Sequence, residues 1–201
     1  METYNLASLT KKIYQSHLSF FTLRDLRNIL EIKHSASLYK VITKLLEAGI
    51  IIKIERGKYL LADTKVNDYT LANFIYQPSY VSFESALNFY GILSQFPYEI
   101  TSVTTKKTVK KVFEEKVFSY AHIQKKLFWG YENRNGFLIA LPEKALLDQL
   151  YFFTKGYKGA DLDEYDLTVI NKKRFKAYLN YFHKTKQFKE IIKILNHYFV
   201  L

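Results

Sequence analysis

Cysteine is absent from the 201-residue chain, which removes disulfides, thiolate catalysis and zinc fingers together and makes a reducing interior the simplest home. Glycine is scarce, and the seven present leave little room for a phosphate-cradling loop. No serine sits in a nucleophile-elbow sequence. His17, His34, His122, His183 and His197 show no paired spacing of the kind that sets two zinc ligands on one helix. No apolar run approaches the roughly 18 residues of a membrane span, and the N-terminus has no basic segment followed by an apolar core and cleavage site. The expected location is therefore the cytoplasm, and no cofactor or metal is expected.

What is present is apolar bulk and positive charge. Hydrophobic residues make up 48% of the chain, ample for a core, and the length suits one large domain or two modest ones; two are expected. The 17% aromatic content is read as core packing. A formal charge of +11 favours a polyanionic partner, with nucleic acid ahead of membrane because no strongly amphipathic basic terminus is found. Residues 1–64 hold ten Lys or Arg against six Asp or Glu, a net of +4, so residues 65–201 carry the remaining +7.

The most informative stretch is 22–62. Thr22-Leu23-Arg24-Asp25 has the spacing of a capping box and opens a helix bearing Leu23, Leu26, Ile29 and Leu30. The segment Glu31-Ile32-Lys33-His34 then separates it from a second helix opened by Ser35 or Ser37 and stopped at Gly49. On that second helix Leu38, Val41, Ile42, Leu45 and Ala48 share one side, and Ala36, Lys40, Thr43 and Glu47 the other. Two β-rich runs, 50–54 and 59–62, flank Glu55-Arg56-Gly57-Lys58, a hairpin turn with two cations at its tip. Helix, helix, hairpin is the element order of a winged helix.

Placed in a major groove, the second helix offers Ser35, Ser37, Tyr39, Lys40, Thr43 and Lys44 to base edges or phosphates, while Arg56 and Lys58 grip the flanking backbone. The alternative is a helix pair and hairpin serving as an interaction module, with lysines that only solvate its surface. A helix over residues 4–18, with Leu6, Leu9, Ile13 and Tyr14 at helical intervals, would complete a three-helix core. Its Lys11 and Lys12, together with Arg24 and Arg27, are secondary candidates for phosphate contact, as is His34 at the start of the recognition helix.

Apolar periodicity lapses over residues 63–68, which places the boundary between a 1–64 winged helix and a 65–201 second domain. Pro78 blocks helix continuation, Ser82 is a candidate N-cap, and Phe83, Ala86, Leu87 and Tyr90 form a stripe closed by Gly91. Strands are predicted at 99–104, 117–123, 127–129 and 136–141. Pro142-Glu143-Lys144 then starts a helix whose Ala145, Leu146, Leu150 and Phe153 face inward, and Trp129 is expected in the core. The fold class is α+β: an N-terminal winged helix-turn-helix, then a mixed α/β domain with C-terminal helices.

The run from Tyr80-Val81-Ser82-Phe83 to Tyr90-Gly91-Ile92-Leu93, then Ile100-Thr101-Ser102-Val103-Thr104, then Ala140-Leu141-Pro142-Glu143-Lys144-Ala145-Leu146-Leu147-Asp148, all downstream of a winged helix, resembles the AbiEi family of antitoxins and transcriptional regulators. The resemblance spans most of residues 5–155. It implies a bacterial autorepressor that binds an inverted-repeat operator in double-stranded DNA through the winged helix; two copies per site are expected because one short recognition helix reads few base pairs. It also implies a nucleotidyltransferase-like toxin as functional partner in a type IV toxin–antitoxin or phage-defence operon, with antitoxicity tied to the C-terminal domain. A stand-alone regulator without a toxin stays open.

Two basic segments and one acidic segment complete the reading. Lys106, Lys107, Lys110 and Lys111 cluster between strands. Lys172, Lys173, Arg174, Lys176, Lys184, Lys186, Lys189 and Lys193 lie on two amphipathic helices whose inward stripes are Phe175, Tyr178, Leu179 and Phe182, then Phe188, Ile191, Ile192, Leu195 and Phe199. These helical lysines are read as solvated faces, with an auxiliary contact to DNA, or to an acidic or RNA-bound partner, as the alternative. The cluster from Asp161 to Asp166 lacks the glycine of a calcium loop and is read as a polar loop. Asp148, Asp161 and Asp163 are the carboxylates that a rival function, a metal-dependent nucleic-acid enzyme, would need.

Overall fold

The computed structural model describes residues 5–157, 162–182 and 185–198, and the chain divides after Asn67 into two compact units. Asp161, His183, Lys184 and Phe199 lie outside the described residues.

In the first unit, α1 (Leu6–Gln15) starts at Asn5, whose side chain accepts the Ala7 N–H at 2.9 Å. Leu9 and Ile13, one helical turn apart, form its buried stripe. Leu6 and Tyr14, expected on the same face, are instead exposed, because a ten-residue helix with two buried side chains turns only a narrow strip inward. The phenol of Tyr14 reaches outward to Asp63. Next comes β1 (Phe20–Thr22), which the sequence did not signal since three residues are too few to show an alternating pattern.

Thr22 caps α2 (Leu23–Leu30) with the expected capping box: its hydroxyl accepts the Asp25 N–H, and the Asp25 carboxylate accepts the Thr22 N–H at 2.8 Å. α3 (Ser35–Glu47) follows, then β2 (Ile51–Glu55) and β3 (Lys58–Leu61). The three strands form an antiparallel sheet in the order β1-β3-β2. Phe21, Leu26, Leu38, Leu45 and Ile51 meet Ile13 in one core, each such side chain removed from water being worth about 1.5–3 kcal/mol. Ala48, assigned to that apolar face, is exposed because α3 has already ended at Glu47.

The second unit is built on a six-stranded mixed sheet in the order β6-β7-β5-β4-β9-β8. Its strands are β4 (Ser79–Val81), β5 (Ile100–Thr104), β6 (Val109–Phe113), β7 (Lys116–His122), β8 (Tyr131–Arg134) and β9 (Phe137–Ala140). Before them runs α4 (Asp68–Ile75), and α5 (Phe83–Phe89) and α6 (Pro142–Phe153) also belong to this unit. Central β4 pairs antiparallel with β5 and parallel with β9.

Three expectations are corrected here. Residues 127–129 are not a strand: a 3-10 turn, Lys125–Leu127, occupies the start of that run and the chain then loops at Trp129 to Gly130. Lys110 and Lys111 lie within β6 rather than between strands. Phe153, expected inward, is 40% exposed at the last turn of α6. β4, β6 and β8 were not anticipated; β4 is short, and β6 and β8 are edge strands whose charged residues break the alternation. α7 (Lys172–Leu179) and α8 (Lys186–Tyr198) follow, with Phe175, Phe188, Ile191, Ile192 and Leu195, and with Phe182 beyond α7, buried in the same core as α5 and α6.

Candidate nucleic-acid interface

The α2–α3 segment owes its shape to a sharp reversal. Glu31 takes a left-handed conformation (φ 55°), Ile32 plugs the core, and the Ile32 N–H donates to the Arg27 carbonyl at 3.1 Å. α3 then buries Leu38, Val41, Ile42 and Leu45, which leaves its other side in solvent. Of the six residues nominated on this helix, Ser35, Tyr39, Lys40, Thr43 and Lys44 are exposed, Tyr39 by 52%, and Ser37 is half-buried.

Their chemistry differs. The Thr43 hydroxyl donates to the Tyr39 carbonyl at 3.0 Å, so toward solvent it presents lone pairs and a methyl group. Ser35 accepts a hydrogen bond from Arg27 at 3.1 Å. Lys40 and Lys44 have no carboxylate partner among the described residues, so their ammonium groups stand available. Together these supply cations, hydroxyl groups and one aromatic ring on a single helix face, a donor-rich surface of the kind that meets phosphates and base edges.

The hairpin is a modest wing. Gly57 has φ +78°, its carbonyl accepts the Leu23 N–H at 3.1 Å, and an added Cβ would come within 3.3 Å of the Leu23 side chain. The turn is therefore held against the start of α2. Arg56 is exposed at its tip, whereas Lys58 is ion-paired to Glu55 at 2.8 Å with both side chains about three-quarters buried. The expected pair of free cations is thus one, since the carboxylate across the turn neutralises Lys58. Among the secondary candidates, Lys12 is tied to Glu31, Arg27 is engaged with the turn before α3, and Lys11, Arg24 and His34 are exposed.

In the second unit the most densely polar place is sealed rather than open. Lys144 and Asp148, both fully buried, face each other one turn apart on α6. The Tyr80 and Ser82 hydroxyls donate to the second oxygen of Asp148 at 3.0 and 2.9 Å, and Lys144 Nζ donates to the Tyr80 oxygen at 2.8 Å. Ser82 stands at the N-cap of α5, as predicted, but its hydroxyl serves Asp148 instead of the helix end. Trp129, half-buried, and Phe182 set their rings 5.4 Å from the ammonium. Gly130, at φ +74°, lets the backbone pass so close that a Cβ would lie 3.0 Å from Lys144 Cγ. Burial pushes Asp148 up and Lys144 down from their ordinary values, and their mutual attraction opposes both shifts.

Sequence reasoning took Pro142-Glu143-Lys144 as a helix start, which it is, with Pro142 in the first turn, and missed the buried pair. The available signal was a Lys and an Asp at i, i+4 within an otherwise apolar run. This arrangement withdraws Asp148 from any solvent-open metal site. Asp163 is exposed on a 3-10 turn, and no group of three His, Asp or Glu that could hold a metal ion occurs among the described residues.

The basic segments are partly spent. Lys110 pairs with Glu99 at 2.8 Å, Lys106 and Lys111 lie over the Tyr76 ring, and Arg174 reaches the buried Glu143 at 3.4 Å. Lys172, Lys173, Lys176, Lys186, Lys189 and Lys193 are exposed, Lys172 and Lys193 with partners of their own. The acidic segment is anchored, with Asp166 accepting from the Thr168 N–H and hydroxyl and donating its own N–H to the Ile92 carbonyl.

No described helix is long and apolar enough to cross a membrane. No curated protein matches the chain. Residues 13–62, which run from within α1 through β3 and contain the whole α2–α3 face and the hairpin, match the family described as transcriptional regulator, AbiEi antitoxin.

Proposed function

We propose that this chain is the autorepressor and antitoxin of a type IV toxin–antitoxin operon, acting in the cytoplasm. Residues 1–64 would bind an inverted-repeat operator, and residues 65–201 would serve the antitoxin or partner function toward a nucleotidyltransferase-like toxin. The observation that carries the reading is the exposed face of α3, where Ser35, Tyr39, Lys40, Thr43 and Lys44 point away from the core within the segment that matches the regulator family. Repression follows by occlusion of the promoter. Two copies bind one operator, because a single short helix reads few base pairs and doubling the contacts multiplies discrimination. Ser37 supports the face from its edge, and Arg56 holds the neighbouring phosphate backbone, with Lys58 contributing less because Glu55 already pairs with it.

The test is a gel shift with DNA from upstream of the chain's own reading frame, in chelator and without metal. A retarded complex that footprints on an inverted repeat is the expected result; no preference for that DNA over an unrelated duplex would end the proposal. Co-expression with an adjoining nucleotidyltransferase-like gene tests the antitoxin half separately. Rescue of growth supports it, and unrelieved toxicity leaves a regulator alone.

A further inference from the structure

α3 lacks the usual device that fixes a helix start. Its N-cap residue, His34, makes no side-chain hydrogen bond to the first turn. The start of the helix that carries the candidate DNA-facing residues is instead tethered to its neighbour from outside. The tether is a residue of the preceding helix: the Arg27 guanidinium donates from Nη1 to the Lys33 carbonyl at 2.9 Å and from Nη2 to Ser35 Oγ at 3.1 Å. The backbone carbonyl of Arg27 meanwhile accepts the Ile32 N–H. One residue thus touches the turn at its beginning, its middle and the first residue of α3.

We infer that Arg27 is a positioning residue for DNA recognition, setting the angle and register of α3 rather than binding phosphate itself; this rests on the DNA-binding function proposed above. The guanidinium suits the task because its planar fork presents two donors in fixed geometry, which a lysine ammonium cannot reproduce. Arg27 also defines what Ser35 offers. With its oxygen accepting from Nη2, the serine keeps its own hydroxyl proton as the group left for a phosphate or base acceptor.

The experiment compares Arg27→Lys and Arg27→Met in the full chain, measuring operator affinity across a salt series, affinity for unrelated duplex, and amide hydrogen exchange without DNA. Both variants should lose operator affinity by roughly tenfold, with nonspecific affinity and salt slope unchanged, because a phosphate contact is not being removed. The Leu38 amide, which donates to the His34 carbonyl at 3.0 Å, should exchange faster in both, while the buried α2 positions Leu26 and Leu30 keep their protection. A salt slope reduced by about one, or wild-type operator affinity in either variant, would overturn the inference by making Arg27 a phosphate contact or a bystander. Unchanged exchange at Leu38 would overturn it whatever happens on DNA. Should the unaltered protein itself ignore the operator while Leu38 exchange responds, the DNA-binding function fails and the clamp on α3 stands.

Discussion

Two helices, α3 in the first unit and α6 in the second, each carry lysine among leucines, and they use it in opposite ways. Lys40 of α3 is exposed with no carboxylate partner among the described residues, whereas Lys144 of α6 is sealed among Tyr80, Asp148, Trp129 and Phe182. α3 packs one stripe and leaves its other face in water; α6 is buried at every residue from Glu143 to Phe152. A polar residue on a one-sided helix costs nothing to display. On an all-round buried helix it must find its partners inside, and the second unit provides them from β4 and the start of α5. The contrast separates a polar face displayed to solvent from a charge pair enclosed in the core.

The largest effect should come from breaking the internal side of this comparison. Asp148→Ala leaves the Lys144 ammonium buried without its counter-charge, and urea denaturation of the full chain should show a loss of about 3–5 kcal/mol. Replacing both, Lys144→Met with Asp148→Leu, should recover most of that loss; a double variant as weak as the single would show that the charges are not the source of the cost. On the open side, Lys40→Ala should leave the denaturation curve in place and weaken operator binding by about 1–2 kcal/mol, with a smaller loss on unrelated DNA. Arg56→Ala should weaken both duplexes about equally. Equal losses for Lys40→Ala would remove it from base readout.

Smaller effects sharpen the first unit alone. Thr22→Ala removes one half of the capping box and should cost about 1 kcal/mol in the same denaturation assay. The smallest concerns Glu31, where the hydrogen bond and charge of Lys12 hold the carboxyl below its ordinary value of 4.5. A carboxyl lowered on folding contributes stability above its unfolded value and loses it as pH falls through its folded value. Glu31→Gln should therefore flatten the acid limb of the stability profile slightly and leave neutral pH almost unchanged; an acid limb identical to that of the unaltered chain would remove the pair from it.

The parts of the fold that were legible are those written in local pattern. The Thr22–Asp25 capping box, the α3 stripe, the hairpin around Gly57 and the Pro142 start of α6 each depend on residues within a few positions of one another. β1 and β4 were not legible, because three-residue strands exist only through their neighbours in the sheet. In the candidate site, the outward residues of α3 followed from periodicity. The state of Lys58 did not, since the spacing alone does not say whether the turn folds Glu55, three residues back, onto it, and only the hairpin geometry brings the carboxylate into contact.

Composition and local periodicity by themselves determined that this chain would be cationic, cysteine-free, α+β, and headed by a helix pair and hairpin with one polar helix face, because charge, capping and amphipathic repeat are properties of short segments. Which cations remain free was decided by tertiary structure. Lys12 and Lys110 acquire counter-charges, and Arg27 acquires a carbonyl and a hydroxyl, from residues that folding brings alongside, while burial encloses the local pairs of Lys58 with Glu55 and Lys144 with Asp148. A charge becomes available or spent according to what stands within about 3 Å of it, and that distance is set by packing across the fold.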